Sequence, residues 1–151
     1  MKLIRASALL ALLLSPPVYA QVTVTEPWVR ATVASQMATG AFMTLKSATP
    51  ARLVGASSPV AGVVEVHEMA MQDNVMRMRA VDALELPAGR EVQLKPGGYH
   101  VMLMDLTRDL KAGETVPITL VVEQGGTRRT VEVQAVVRAL GAAMGAGHGK
   151  K

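Results

Sequence analysis

Residues 62–81 read GVVEVHEMAMQDNVMRMRAV, and this stretch predicts a β-hairpin. The runs on either side of QDN alternate and are rich in valine and methionine, a pattern that is typical of β-strands. Asp73 and Asn74 tolerate the left-handed backbone that a two-residue hairpin loop requires. We therefore predict two strands, over 62–71 and 75–81, that pair antiparallel around this loop.

The loop also sets the register of the predicted hairpin, because side chains alternate between the two faces of a strand. The methionines then pair across the strands, Met69 with Met78 and Met71 with Met76. Glu68 faces Arg79 on the outer side, and this charge pair supports the register. One face of the hairpin would carry His67 together with the four methionines.

The rest of the chain also consists of short β-rich runs, and no helical period of useful length follows residue 20. Turn sequences such as KPGG and QGGT separate several of these runs. Strands of this length and spacing predict one all-β domain over residues 21–138, built as an antiparallel sandwich or barrel. The further strands are predicted at 39–47, 51–57, 99–106, 114–123 and 128–137, with a short one inside LPAGREVQL (86–94).

The two ends of the chain differ from this pattern. Residues 1–20 combine a basic start, a short apolar run and small residues before position 21, which is typical of a cleaved signal peptide. We therefore expect export to the periplasm. Residues 139–151 are small and Gly-rich, and we expect a flexible tail there. Between the two ends, no apolar run is long enough to span a membrane.

Composition excludes several classes of function. The 151 residues include no cysteine, so the chain has neither disulfides nor a nucleophilic thiol. The formal net charge of +4 falls to +2 when Lys2 and Arg5 leave with the signal peptide. Nucleic-acid binding normally needs a clustered basic face, often with aromatic residues, and neither is evident. Since no catalytic constellation and no Gly-rich phosphate loop occur, we do not expect an enzyme.

Histidine and methionine are concentrated in two His-x-Met units. Six of the ten methionines lie between residues 69 and 104, beside two of the three histidines. Alternation places His100, Met102 and Met104 on one face of their predicted strand. A methionine row commonly reflects a packed core. A core built for packing would favour Leu, Ile, Val and Phe, however, and this chain has one phenylalanine.

Imidazole and thioether donors together have a specific chemistry. Thioethers are soft, neutral donors that suit Cu(I), and imidazole also binds copper. Zinc prefers Cys, His and carboxylate ligands, and a blue-copper electron-transfer centre requires a cysteine thiolate. A site of two His and two Met can accept Cu(I) and release it, which favours a carrier over a catalyst.

The spacing of these residues resembles that of the PCuAC family of periplasmic copper chaperones. The family pattern is His, ten residues, Met, twenty-one residues, His, any residue, Met. This chain matches the pattern at His67, Met78, His100 and Met102. The similarity covers roughly residues 22–137 and includes WVRAT (28–32), TGAFMTL (39–45) and LKPGGYHVMLM (94–104).

The resemblance implies a cupredoxin-like Greek-key barrel or sandwich with a surface Cu(I) site. The four matching residues would be the ligands. The tail offers only Met144 and His148, which departs from relatives with a His- and Met-rich tail, so His148 is expected to be a weak ligand at most. The remaining methionines on ligand-bearing faces are assigned to the core or to the surroundings of the ligands. They are Met69, Met71, Met76 and Met104, with Met69 as the alternate ligand. Trp28 is expected to fill the core near the first strand.

The implied function is delivery of copper toward the dinuclear copper centre of cytochrome c oxidase. The expected partners are the oxidase subunit that receives copper and a thioredoxin-like copper chaperone, and we expect a monomer. Two alternatives stay open at this point. One is a periplasmic copper-scavenging or resistance protein, and the other is a metal-free structural β-sandwich whose methionines are core residues.

Overall fold

The computed structural model describes residues 22–141, and these residues form ten β-strands and no helix. Nothing in this range is therefore a candidate for a membrane-spanning helix. The expected signal peptide, most of the expected tail and His148 lie outside the described residues. The strands are β1 (Val22–Arg30), β2 (Ala38–Ser47), β3 (Ala51–Ser57), β4 (Ala61–Gln72), β5 (Val75–Ala80), β6 (Leu84–Leu86), β7 (Glu91–Leu94), β8 (His100–Leu106), β9 (Thr115–Gln124) and β10 (Thr127–Arg138).

The strands form one sheet whose order brings distant parts of the chain together. The order is β5-β4-β8-β2-β1-β10-β9-β3-β6, and β7 pairs with β2 beside this path. All paired strands are antiparallel except β1 and β10, which are parallel. β4 and β8 are neighbours, although three strands separate them along the chain. The sheet therefore places the two His-x-Met units side by side.

The all-β prediction is confirmed, and the predicted strands agree with the observed ones to within one residue at each end. β6 was not predicted, because three residues are too few to give a periodic signal. β1 was not delimited by the sequence either, because Glu26 and Pro27 interrupt its alternation.

The predicted hairpin is confirmed in its loop and in its register. Asp73 and Asn74 both have positive φ angles, of 52° and 61°. The predicted cross-strand partners are those observed, Met69 with Met78, Met71 with Met76 and Glu68 with Arg79. Glu68 lies on the face opposite His67, as predicted, and its partner Arg79 is 70% exposed. The same face also carries Val64 and Val66, which contact the core farther along β4.

The core is formed by one face of the curled sheet. Its largest fully buried side chains come from strands throughout the chain, and each such burial stabilises the fold by about 1.5–3 kcal/mol. They include Leu45 on β2, Leu53 on β3, Leu103 on β8 and Leu120 on β9.

A β-bulge in β1 changes which side chains reach this core. Val22 belongs to the core cluster before the bulge, and Val29 and Ala31 belong to it afterwards. The pairing of β1 with β2 shifts between Thr25 and Trp28. Since an extra residue in a strand inverts the alternation beyond it, Trp28 lies on the opposite face of the sheet.

Candidate metal centre

β4 and β8 each have one face in the core and one face away from it. Val66, Val101 and Leu103 belong to the core cluster. The residues that alternate with them, among them His67, His100 and Met102, do not. The alternation thus gives these strands one face of valine and leucine, which packs in the core, and one face with histidine and methionine, which lies outside the core cluster.

The two histidines are direct cross-strand partners on this second face. His67 pairs with His100 in the register of β4 and β8, and their ring centroids are 5.8 Å apart. Met78 reaches them from β5, and its Sδ lies 3.0 Å from the Nε2 of His100. An open depression of about 270 Å³ adjoins this cluster. The methionine and histidine residues that line it are Met69, Met78, His100 and Met102.

The hydrogen bonds of His100 determine which of its nitrogens carries the proton. Its Nδ1 lies 3.1 Å from the backbone oxygen of Gly98. Because a carbonyl oxygen can only accept, Nδ1 carries the hydrogen and Nε2 keeps its lone pair. The sulfur of Met78 has no hydrogen either. In this tautomer Nε2 and Sδ are two electron-pair donors in contact, and a cation shared between them would satisfy both.

The turn before β8 supplies the carbonyl group that holds His100. Gly98 N–H donates to Lys95 O at 3.0 Å, which closes a turn over KPGG. Proline fits the second position of such a turn, and Gly97 supplies the positive φ of 85° that its third position requires. Gly98 O also accepts the backbone N–H of Met69 at 3.3 Å. The turn thus ties the His100 ring to β4.

His67 presents a second lone-pair nitrogen. Its Nε2 lies 2.8 Å from Oε2 of Glu65, and a carboxylate accepts, so Nε2 carries the hydrogen. Its Nδ1 is buried and has no hydrogen-bond partner among the described residues. A buried polar atom without a partner is rare in folded proteins, and a metal ion is one of the groups that can satisfy it. His67 itself is not among the residues that line the depression.

The environment of His100 keeps this residue neutral. Burial lowers the pKa of His100 below its ordinary value of about 6.5. The hydrogen bond to Gly98 opposes this shift, whereas the neighbouring His67 and Arg30 add to it. A neutral imidazole is the form that binds a metal.

An aromatic pair supports the centre from the neighbouring strands. The rings of Trp28 and Phe42 contact each other, with centroids 4.5 Å apart. Guanidinium groups cover both rings, Arg30 at 5.5 Å from the Phe42 centroid and Arg138 at 5.1 Å from that of Trp28. Trp28 is buried, as expected of a core residue near the first strand. It packs against Phe42 and lies outside the main core cluster, because the bulge in β1 turns it to the opposite face of the sheet.

Gly40 leaves the space that Phe42 occupies beside the site. A Cβ atom at Gly40 would lie 2.8 Å from the Phe42 ring, which is too close for a real contact. Gly40 is also the cross-strand partner of Met102 on β8. The Phe42 ring can therefore approach His100, with centroids 6.2 Å apart, and form a wall of the depression.

The structure brings together the residues that the sequence singled out, but in different settings. Met69, the predicted alternate ligand, lines the depression. Met71 and Met76 are 64% and 47% exposed near the hairpin loop, and Met104 is half-buried beside Val63. None of these methionines belongs to the core cluster, so of the two expected places, the core or the surroundings of the ligands, the second remains.

Three residues beside the site were missed by the sequence patterns. Glu65 could have been found, because alternation puts it on the same face as His67. Gly98 could not have been found, because it contacts His100 through its backbone oxygen, which any residue would have. Arg30 could not have been found either, because it belongs to a strand far away in sequence.

The donor set decides which ions this centre suits. Within residues 22–141, no three His, Cys, Asp or Glu side chains lie close enough to hold a metal ion. Zinc and the hard cations prefer such ligands. Two imidazole nitrogens with free lone pairs and nearby thioether sulfurs form a soft, neutral set that suits Cu(I).

Comparison with known proteins gives matches over most of the chain. The family described as "Putative lipoprotein LpqE-like" matches residues 22–137. "Putative lipoprotein Lxx21020" of Leifsonia xyli subsp. xyli is 36% identical over 109 residues, which cover 70% of this chain and 64% of that protein. RP573 of Rickettsia prowazekii is 32% identical over 124 residues, covering 78% of this chain and 68% of RP573. The chain thus spans about two thirds of the length of these relatives.

Solved structures with the same fold include copper-bound proteins. The copper-bound PCuAC domain from PmoF2 has a TM-score of 0.64 and 26% identity, over 81% of this chain and 99% of that domain. Cu(I)-DR1885 from Deinococcus radiodurans has a TM-score of 0.59 and 40% identity, over 76% and 78% of the two chains. The apo PCuAC domain from PmoF1 has a TM-score of 0.65 at 24% identity, over 81% of this chain and 100% of that domain, which supports the cupredoxin-like fold. From the family match and these neighbours, the chain belongs to the LpqE-like family, which is the PCuAC family.

Proposed function

We propose that this protein carries Cu(I), binding it through His67, Met78, His100 and Met102 and handing it to another protein. The observation that carries this proposal is the 3.0 Å contact between Nε2 of His100 and Sδ of Met78. Neither atom has a hydrogen to offer the other, and a single Cu(I) ion would satisfy both. The buried, unpartnered Nδ1 of His67 supports a further ligand on the same side.

The setting of the site supports a carrier and not an enzyme or a storage protein. All four proposed ligands are neutral, so the ion would be held without the thiolate charge that makes copper binding tenacious. Met78 is 47% exposed. A receiving protein could therefore approach this ligand and replace the donors one at a time.

The relatives support copper as the cargo. Two of the similar solved proteins are named as a copper-bound PCuAC domain and as a Cu(I) form of DR1885. We further propose that the recipient is the dinuclear copper centre of cytochrome c oxidase, in keeping with the His-Met spacing of the family. The lipoprotein name of the Leifsonia xyli relative supports export, and the periplasm is the proposed compartment.

Anaerobic titration with Cu(I) in competition with a chromophoric chelator tests the binding step. We expect one Cu(I) ion per chain in a site tight enough to compete with the chelator. A protein that takes up no stoichiometric copper under these conditions would be a structural β-domain, and the proposal would be wrong.

A transfer assay tests the recipient. The copper-loaded protein is mixed with the metal-free soluble domain of the oxidase subunit that receives copper, and the visible absorption of the dinuclear centre is followed. Delivery predicts that this absorption grows as the loaded protein is depleted. If binding is stoichiometric but no copper moves to the oxidase domain, the carrier serves another recipient, as a scavenging or resistance protein would.

A further inference from the structure

Glu65 and His67 form a contact on β4 that neither the fold nor the proposed ligand set requires. Residues two apart on a strand point to the same face, so the carboxylate can reach the ring directly. Oε2 of Glu65 and Nε2 of His67 are 2.8 Å apart. Among the described ion pairs, the partner of Glu65 is His67, so the carboxylate is not shared with an arginine.

The two nitrogens of His67 are in opposite situations. Nε2 is satisfied by a carboxylate whose side chain is 46% exposed. Nδ1 is buried, and no hydrogen-bond partner exists for it within the described residues. If the proton moved to Nδ1, the carboxylate would face a lone pair and a buried N–H would have no acceptor, and a buried unpaired donor is costly. The contact therefore selects the tautomer with hydrogen on Nε2.

The second histidine is arranged in the same way. Nδ1 of His100 donates to Gly98 O, and its Nε2 is left with a free lone pair beside the Met78 sulfur. Each imidazole thus has one nitrogen held by an oxygen acceptor and the other available. Oxygen acceptors of this kind fix the tautomer and the ring orientation of metal-binding histidines.

We propose that Glu65 is a positioning residue of the copper site: it holds the proton of His67 on Nε2 and so makes Nδ1 the nitrogen that binds Cu(I). Its effect on copper rests on the proposed function. Its effect on the tautomer is a property of the metal-free protein, so the two can fail separately.

The tautomer is measured first, without copper. Nitrogen-15 NMR of the metal-free protein, at a pH well above the ordinary imidazole pKa of about 6.5, reports which ring nitrogen of His67 carries the hydrogen. We expect the Nε2–H form in the wild type. We expect the same form in Glu65→Gln, whose amide oxygen can still accept, and a mixture of both forms in Glu65→Ala.

Copper affinity is then measured in the same variants. Loss of a partner of this kind typically weakens metal binding by about 10–100-fold, and we expect this for Glu65→Ala. Glu65→Gln should stay within about threefold of the wild type, because it keeps the hydrogen bond and loses only the charge. Glu132→Ala is the control, since it removes a carboxylate of equal charge that bonds Thr119 on the far strands β9 and β10. It should leave affinity unchanged.

Two results would overturn the proposal. One is a Glu65→Ala protein that keeps the Nε2–H tautomer and binds Cu(I) as tightly as the wild type. The other is a Glu65→Gln protein that is weakened as much as Glu65→Ala, because charge and not orientation would then be responsible. A purely structural role would instead lower the Tm of metal-free Glu65→Ala and leave its tautomer unchanged. A wild type that binds no copper would refute the proposed function and leave the tautomer result intact.

Discussion

The two faces of β8 use adjacent residues for different purposes. Val101 and Leu103 are fully buried in the core, whereas His100 and Met102 alternate with them on the face that lines the depression. Each core side chain packs against apolar atoms, and this packing requires only a matching shape and volume. Each site side chain has a donor atom, an imidazole nitrogen or a thioether sulfur, that can bind a soft metal ion. One short strand can therefore support stability on one side and metal chemistry on the other.

The methionines also differ between the core and the site. Met43 is 3% exposed and belongs to the core cluster, where its sulfur is simply part of an apolar side chain. Met78 is 47% exposed and touches a histidine nitrogen. Burial of an apolar side chain explains a methionine at position 43, but it does not explain one at position 78. Substitutions that keep volume and remove sulfur should therefore distinguish the two faces.

The largest expected effect is on the core face. Leu103→Ala should lower the free energy of unfolding by about 2–5 kcal/mol, because it removes a buried side chain and leaves a cavity. Urea denaturation of the metal-free protein measures this loss. A loss well below this range of about 2–5 kcal/mol would show that this face does not belong to the core.

A smaller but sharper effect is expected on the site face. Met78→Leu and Met102→Leu nearly conserve the side-chain volume, so the free energy of unfolding should change by less than about 1.5 kcal/mol. Cu(I) binding should weaken at least about tenfold, equivalent to ~1.4 kcal/mol, because a ligand atom is lost. Chelator competition measures the affinity, and Met43→Leu is the matched control that should bind as the wild type does. Equal affinities in all three variants would show that these sulfurs are not ligands.

The pH dependence of stability should also come from the site face. Burial gives His100 a lower pKa in the folded protein than the ordinary value of about 6.5 expected on unfolding. The unfolded chain therefore binds more protons between these two pKa values. Stability of the metal-free protein should be complete above the unfolded pKa and should fall as pH drops below it.

Urea denaturation across this pH range checks the sign. His100→Asn, which cannot take up the proton, should give a flatter profile than the wild type. The same lowering of the pKa keeps His100 unprotonated to lower pH. Protons should therefore begin to compete with Cu(I) for His100 only below the ordinary imidazole range. A stability that rises on acidification from neutral pH would contradict the buried, neutral state of His100.

Sequence patterns could predict the periodic features and the local ones. Alternation and the Asp73-Asn74 loop gave the hairpin and its register, and the His-Met spacing gave the four residues that we propose as ligands. Alternation alone could not say which face of β4 is the core. That depends on β8 lying beside it, so the sequence did not show that Glu68 shares its face with Val64 and Val66. The burial of Trp28 was predicted, but its face was not, because a bulge inverts the faces of a strand without any periodic signal.

The smallest effect should be found at the end of the hairpin. Two residues along a strand span about 6.6 Å, so Met71 and Met76 lie one cross-strand row farther from His100 than Met69 and Met78 do. The double variant Met71→Leu, Met76→Leu should keep the Tm and change Cu(I) affinity by less than about twofold, an energy well under 1.4 kcal/mol. The Cu(I) affinity of Met69→Leu should lie between the affinities of this double variant and of Met78→Leu, because Met69 lines the depression. Such a gradient along the hairpin would mean that distance from the histidines, and not methionine content, determines binding. A double variant that binds as weakly as Met78→Leu would extend the copper site to the exposed pair and remove the distinction between them.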